Sequence, residues 1–144
     1  MSDYKNIIVA IDFDSDYEHI IGKALNIAQS VNDISLVHIT LPSIYIQPYL
    51  YGMQEGILDD GDITGIAREK LETIADKFGI NKDNLHVKFG DVANEIRQIA
   101  TEIDADLIVI GTHGRSGFKL LLGSTANALL HGVQHDVLAI RIKE

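Results

Sequence analysis

The sequence contains no cysteine among its 144 residues. This absence excludes disulfide bonds, cysteine nucleophiles and thiolate metal sites. Basic residues are also few, because 12 lysines and arginines stand against 21 aspartates and glutamates and give a formal net charge of −9. Nucleic-acid binding needs clustered positive charge, so this balance argues against a nucleic-acid partner.

Long apolar runs and a secretory signal are absent as well. Runs such as Leu107 to Ile110 fall far short of the roughly 20 residues that cross a bilayer, so no membrane span is expected. The segment from Met1 to Asn6 lacks the basic region, apolar core and cleavage site of a secretory signal. We therefore expect a cytoplasmic protein, and the length and 46% hydrophobic content predict one domain over residues 1–144.

Apolar strand patterns alternate with helical patterns along the chain. The predicted strands are residues 6–12, 34–40, 85–89, 107–110 and 137–142. The predicted helices are residues 17 to about 31, 63–78, 92–103 and 124–131, with Gly79 as a left-handed residue after the second helix. This order predicts an α/β fold with a five-stranded parallel, doubly wound sheet. A ligand of such a sheet binds beyond the carboxyl ends of the strands, where the winding direction switches.

Residues 41–61 are the hardest segment to interpret. They hold both prolines, Pro42 and Pro48, and three of the five tyrosines, Tyr45, Tyr49 and Tyr51. A connection this long is usually functional, partly helical or mobile. Its composition leaves open whether it covers a site or contacts a partner.

The strongest functional signal is the glycine-rich segment after the fourth strand. It reads Gly111-Thr-His-Gly114-Arg-Ser-Gly117-Phe-Lys-Leu-Leu-Leu-Gly123-Ser124-Thr125. Glycines let a backbone approach a ligand closely, and the amides that open the next helix attract a phosphate, so the segment predicts a phosphate cradle. It is neither the common P-loop nor the G-x-G-x-x-G dinucleotide pattern. The alternative is that the glycines only turn the chain and Ser124 only caps a helix.

These motifs, taken in order, closely resemble the universal stress protein family. The resemblance extends from Tyr4-Lys-Asn-Ile-Ile-Val-Ala-Ile-Asp12 through Leu36-Val-His38 to Asp104-Ala-Asp-Leu-Ile-Val-Ile-Gly-Thr-His-Gly-Arg-Ser-Gly117. Gly123-Ser-Thr-Ala-Asn127 and Asp136-Val-Leu-Ala-Ile140 complete it, so it covers essentially the whole chain. It implies Rossmann-like (adenine nucleotide alpha hydrolase-like) protomers that form a homodimer.

The resemblance also implies a nucleotide site, because the family divides into members that bind ATP and members that do not. The binding members carry a Gly-x2-Gly-x9-Gly-Ser/Thr motif for the phosphates and ribose. Gly111, Gly114, Gly123 and Ser124 match its glycines and hydroxyl, but only eight residues separate Gly114 from Gly123. ATP, with or without Mg²⁺, is the implied ligand, and the shorter spacing keeps the non-binding branch as the alternative.

Other candidate contacts lie at matching positions. The resemblance assigns Asp12 to the adenosine and Ile39 to the adenine. It also includes Ile110, the residue before the first glycine, among the nucleotide contacts. Asp12 is alternatively a helix or turn cap, and Ile39 and Ile110 are alternatively core residues. Three further residues of the segment complete the predicted binding set, with alternatives of shaping the turn, facing solvent or capping the helix: His113, Arg115 and Thr125.

The sequence does not support a catalytic site. The acids Asp12, Asp14 and Asp16 suggest a calcium loop, but Tyr17 and Lys23 occupy the positions that need Gly and Glu. The same acids also suggest a phospho-accepting receiver domain, but that interpretation gives the glycine-rich segment no role. The six histidines form no metal signature, and no Ser, His and Asp triad can be assembled. At most, slow ATP hydrolysis or autophosphorylation is expected.

The last predicted strand, residues 137–142, is expected at a sheet edge. An apolar edge with free backbone groups favours pairing with a second copy, so we predict a homodimer through this strand. The alternative is a monomer whose edge is blunted by Arg141 and Lys143. The function predicted is a stress-response regulatory dimer that binds ATP and contacts an unidentified protein. The alternative is a dimeric interaction protein of the same family without a nucleotide.

Overall fold

The computed structural model describes residues 4–13, 15–40, 60–111 and 135–141. The strands within them are β1 (Ile7–Ala10), β2 (Ile34–Thr40), β3 (Leu85–Phe89), β4 (Leu107–Gly111) and β5 (Asp136–Ile140). The α-helices are α1 (Tyr17–Ile27), α2 (Asp60–Phe78) and α3 (Val92–Glu102). Short 3-10 helices, Val31–Asp33 and Lys82–Asn84, precede β2 and β3.

The five strands form one sheet in the order β3-β2-β1-β4-β5, and every pair is parallel. Parallel neighbours need a crossover connection, which explains why helices alternate with strands along the chain. The two innermost strands, β1 and β4, contain no polar side chain because both faces of the sheet are covered there. All five residues of β4 are buried. The predicted α/β class is confirmed.

Each face of the sheet has its own hydrophobic core. On one face, residues of α1 and α2 such as Ile20 and Leu71 pack against Val9 and Leu36. On the other face, residues of α3 pack against β1, β2 and β4 around Ile8. Full burial of each large aliphatic side chain contributes about 1.5–3 kcal/mol, so the two covered faces are the main source of stability. Helices on both faces make the sheet doubly wound, as predicted.

The first helix ends earlier than its apolar pattern predicts. The prediction ran to about residue 31, whereas α1 ends at Ile27 and Ala28 is extended, with ψ of 148°. Ser30 then begins a capping box, in which its side chain accepts from the Asn32 amide and the Asp33 side chain accepts from the Ser30 amide. This local arrangement satisfies backbone donors outside the α-helix, so the helix stops and a 3-10 turn leads into β2.

The second helix begins earlier than predicted and ends where predicted. It starts at Asp60 instead of residue 63, so residues 60 and 61 belong to a helix and not to the connection predicted for residues 41–61. Gly79 has φ of +72°, and the Ile80 amide donates to the Ala75 carbonyl at 2.9 Å. This pattern is a Schellman motif, which needs a left-handed residue at the position of Gly79.

The remaining boundaries differ by one or two residues. β1 begins one residue later than predicted, where the Asn6 amide donates to the Asp106 side chain, and it ends two residues earlier, at Ala10. α3 ends at Glu102, one residue before the predicted end, and β4 ends at Gly111, one residue after it. β5 begins at Asp136, one residue before the predicted start, and ends at Ile140, because Arg141 is no longer in the strand. Residue 142 and the predicted helix at residues 124–131 lie outside the described residues.

Candidate functional site

The switch point of the sheet lies between β1 and β4. The chain proceeds from β1 outward to β2 and β3 on one side, and from β4 to β5 on the other. The register pairs Val9 with Val109, so the carboxyl ends of the two strands finish side by side. Adjacent strands lie about 4.8 Å apart. At the switch point of a doubly wound sheet, the connections that leave the two strands generally go to opposite faces. A crevice at this edge is where ligands of doubly wound sheets bind.

Asp12 lies at this edge, three residues after Val9, and is half-buried. Its backbone carbonyl accepts hydrogen bonds from the Ser15 amide at 3.0 Å and the Ser15 hydroxyl at 2.8 Å. The N-cap of α1 is Asp16, whose side chain accepts from the His19 amide at 3.3 Å. Asp12 therefore closes a turn through its backbone, while Asp16 caps the helix.

Gly111 ends β4 beside this aspartate. It is buried, and it pairs in register with Ile140. Its position two residues after Val109 matches the position of Ile11 relative to Val9. The glycine-rich segment thus begins at the edge of the sheet where Asp12 lies, which is the arrangement that the sequence predicts.

The two predicted apolar contacts belong to the core on the α3 face. Ile110 is 4% exposed and is part of that core, and Ile39 is partly buried and packs against it. Packing accounts for both side chains, as the alternative interpretation of the sequence holds. Their predicted contacts with a nucleotide remain predictions, and so do the roles of the candidates that lie outside the described residues. Those candidates are His113, Gly114, Arg115, Gly123, Ser124 and Thr125.

The structure adds two residues that the sequence did not single out as a pair. His38, near the end of β2, places its Nδ1 2.8 Å from the Ile11 carbonyl oxygen. Its ring also stacks on Phe13, with ring centroids 4.1 Å apart and an angle of 28° between the rings. The sequence analysis includes His38 only in the motif Leu36-Val-His38 and gives it no role of its own. The available signal was that His38 and Phe13 stand at the ends of neighbouring predicted strands.

Two side chains outside this site, His86 and Lys77, have shifted pKa values. Burial is the main reason that the pKa of His86 on β3 is lowered, with help from Lys88 and Arg68. The hydrogen bond from Lys77 to Glu18 raises the pKa of Lys77 on the α1–α2 surface. Among the described residues, no group of three histidine or acidic side chains is arranged to hold a metal ion. None of the helices in the same residues is long and apolar enough to span a bilayer.

The five-stranded parallel sheet, with Gly111 at the switch point, defines a doubly wound α/β protein of the Rossmann-like kind. The model of the universal stress protein family matches residues 3–141, and the chain belongs to this family.

Curated relatives support the assignment along the whole chain. Universal stress protein A homolog 2 of Coxiella burnetii is 35% identical over 146 residues, which cover 99% of each protein. Universal stress protein G of Escherichia coli O157:H7 is 29% identical over 142 residues, covering 96% of this chain and 99% of the relative.

Solved structures share the fold at lower identity. Universal stress protein UspA from Lactobacillus plantarum has a TM-score of 0.66 at 21% identity and covers 98% of this chain and 100% of its own. A universal stress protein in complex with cAMP has a TM-score of 0.55 at 22% identity, covering 96% and 98% of the two chains. A family protein from Arabidopsis thaliana with AMP bound has a TM-score of 0.54 at 12% identity, covering 96% and 92%.

Proposed function

We propose that this chain binds ATP at the carboxyl ends of β1 and β4 and works as a nucleotide-dependent regulatory dimer. The observation that carries the proposal is the register of β1 and β4. It brings half-buried Asp12 and the start of the glycine-rich segment at Gly111 to one edge of the sheet. A carboxylate accepts hydrogen bonds from the hydroxyls of a sugar. A glycine backbone surrounds an anionic phosphate, so the two together suit a nucleotide.

An adenine nucleotide is the class of ligand that the neighbours favour. Two structures with this fold hold cAMP and AMP, both of which contain adenosine. ATP is chosen over a monophosphate because the glycine-rich segment offers many more amides than one phosphate group needs. ATP serves here as a ligand that the protein recognises. The net charge of that ligand depends on its phosphates and on any bound Mg²⁺.

The residues divide the work of binding by chemistry. Asp12 accepts hydrogen bonds from the ribose or the adenine. Ile39 and Ile110 offer apolar surface to the adenine. The residues proposed to surround the phosphates are Gly111, His113, Gly114, Arg115, Gly123, Ser124 and Thr125. Gly111, Gly114, Gly123 and Ser124 are assigned from the family motif, and His113, Arg115 and Thr125 from their place in the same segment. Arg115 and the backbone amides are proposed to compensate the phosphate charge.

The proposed dimer forms through β5 and the residues after it, 137–142. β5 is an edge of the described sheet and carries half-buried Val137 and Leu138. Pairing with a second copy would cover an apolar edge that otherwise invites aggregation. We propose that the dimer acts in the cytoplasm and that nucleotide occupancy changes its contacts with a protein partner.

A second function is favoured by one specific feature. Only eight residues separate Gly114 from Gly123, one fewer than in the ATP-binding motif. If this spacing moves Gly123 away from the phosphates, the protein is a dimeric interaction protein without a nucleotide.

Release of bound nucleotide separates these two functions. The protein is purified without added nucleotide and denatured with acid, and the supernatant is analysed by chromatography for adenine nucleotides. ATP in an amount comparable to the protein supports the proposal. A supernatant without nucleotide, from a protein that also gains no thermal stability with added ATP, supports the interaction protein.

A further inference from the structure

His38 contacts both residues that flank Asp12 in the chain. Its Nδ1 lies 2.8 Å from the carbonyl oxygen of Ile11, and its ring stacks on Phe13 at 4.1 Å. The segment continues from β1, since the Ile11 amide donates to the Val37 carbonyl at 2.7 Å. One side chain of β2 thus holds the β1 extension immediately before and after the aspartate.

The hydrogen bond to Ile11 acts on Asp12 through the peptide plane. The Ile11 carbonyl and the Asp12 amide belong to one planar unit, so fixing the carbonyl oxygen fixes the plane from which Asp12 begins. A carbonyl oxygen only accepts, so Nδ1 of His38 carries the hydrogen in this contact. The carbonyl of Asp12 itself accepts two bonds from Ser15, which holds the following plane. With both planes held, the direction of the carboxylate depends mainly on its side-chain rotamer.

The stack on Phe13 is reinforced from the second helix. The Lys70 Nζ lies over the Phe13 ring, 5.5 Å from its centroid. A cation over an aromatic face and an offset stacked ring each stabilise a fixed ring position. Phe13 is half-buried against the core on the α1–α2 face, so it anchors the turn after Asp12 to the body of the protein.

We infer that His38 is a positioning residue for nucleotide binding, which orients the Asp12 carboxylate through the Ile11 carbonyl and the Phe13 ring. The inference rests on the proposed function, because it assigns Asp12 to the nucleotide. A carboxylate that is already oriented loses less conformational freedom on binding, so the contacts of His38 increase affinity without touching the ligand.

Three substitutions divide the two contacts of His38. His38→Asn keeps an N–H donor near the position of Nδ1 and loses the ring. His38→Phe keeps a ring for the stack and loses the donor, and His38→Ala loses both. His86→Asn is the matched control, since His86 is a half-buried histidine on the neighbouring strand β3 that pairs with Val37.

Two measurements are made on each variant. Amide hydrogen exchange by NMR, in the nucleotide-free protein, is followed at Ile11 and Ser15, whose amides donate to the Val37 and Asp12 carbonyls, and reports whether the segment around Asp12 is held. ATP titration reports affinity, both in the wild-type background and with Asp12→Ala. The second background distinguishes positioning from general destabilisation, because a residue that acts through the Asp12 carboxylate has no effect once that carboxylate is gone.

We expect His38→Ala to speed exchange at Ile11 and Ser15 and to lower ATP affinity roughly tenfold, the size of one lost ordering contribution. With Asp12→Ala present, it should cause no further loss. His38→Asn and His38→Phe should each show part of both effects, and His86→Asn neither. If His38→Ala fails to fold, His38→Asn and His38→Phe still test the role of His38, because each keeps one of its two contacts.

Unchanged exchange at Ile11 and Ser15 in all three variants would overturn the inference, and so would an equal loss of affinity with and without Asp12→Ala. A wild-type chain that binds no ATP would instead overturn the proposed function. The positioning role in nucleotide binding would fall with it, and faster exchange in the His38 variants would then show only that His38 holds the segment around Asp12.

Discussion

Two aspartates, Asp12 and Asp16, stand four residues apart and do different work. The Asp16 side chain caps α1 by accepting from the His19 amide, whereas Asp12 lies at the switch point and uses its backbone to close a turn. Asp16→Ala should lower the free energy of unfolding by about 1 kcal/mol through the lost cap and leave ATP affinity unchanged. Asp12→Ala should lower ATP affinity roughly ten- to a hundredfold, as expected for a hydrogen bond to a charged group.

Urea unfolding and ATP titration of both variants check this contrast, and each variant is the control for the other. Equal ATP affinities in wild type and Asp12→Ala would remove Asp12 from the site. A loss of affinity in Asp16→Ala as large as that in Asp12→Ala would show that the whole turn, and not one carboxylate, matters.

His86 gives the stability a dependence on pH. Burial, followed by Lys88 and Arg68, lowers its pKa in the folded protein below the ordinary value of 6.5. The unfolded chain therefore binds more protons below that pH, so the contribution is present above pH 6.5 and is lost as pH falls through the lower folded pKa. His86→Gln, which cannot be protonated, should reduce the difference in melting temperature between about pH 7.5 and about pH 5.5. An undiminished difference would assign the acid sensitivity to other groups.

Among the helices, α2 and its C-terminal cap contain two glycines, Gly65 and Gly79, at which substitution by alanine should change stability in opposite directions. An added Cβ meets nothing within 4 Å at Gly65 or at Gly79, so space does not distinguish them. Gly65 lies inside the helix, where alanine should raise stability by about 0.5–1 kcal/mol. Gly79 has φ of +72°, where alanine should lower stability by about 1 kcal/mol.

Urea unfolding checks this pair, with the shift in midpoint at an unchanged slope as the measure. Both substitutions raising the midpoint would mean that the Schellman motif after α2 tolerates a side chain. Both lowering it would mean that Gly65 is needed by something other than the helix itself.

The helices and strands also show which parts of the fold could be predicted from the sequence. The bounds of β2 and β3 agree with prediction, because their apolar runs end at clear breaks such as Gly90. The predicted end of α1, at about residue 31, was wrong for a physical reason. Ile27, Ala28 and Val31 continue the apolar pattern and do pack against the core, but from helical, extended and 3-10 backbone in turn. Apolar spacing reports burial, and it does not report the backbone that achieves it.

The candidate site divides in the same way. Asp12 and Gly111 were predictable, because carboxyl ends of parallel strands meet at one edge and the alternating pattern identifies those ends. The contacts of His38 were not, because they depend on the register of β1 against β2 and on the rotamers of two rings. Register and rotamers are set by packing that no local pattern contains.

At the scale of the whole molecule, the two edges of the described sheet predict different responses to a new charge. Ala139 is exposed on β5, the edge proposed for the dimer, and Phe89 is 48% exposed on β3, the opposite edge. Ala139→Asp brings two like charges toward the two-fold axis and should yield a monomer. Phe89→Asp should leave the dimer intact. Size-exclusion chromatography with light scattering checks both variants, and a monomeric wild type or a dimeric Ala139→Asp would contradict the β5 interface.

Binding of ATP is the central claim, and calorimetric titration of the nucleotide-stripped protein tests it most directly. The titrants are ATP with and without Mg²⁺, with AMP as the comparison, and Gly114→Val is the variant that should obstruct the phosphates while leaving the fold intact. We predict micromolar or tighter binding of ATP by the wild type and much weaker binding by Gly114→Val. No heat and no thermal stabilisation with ATP, or equal affinity in the two proteins, would contradict the claim and leave the glycine-rich segment as a structural turn.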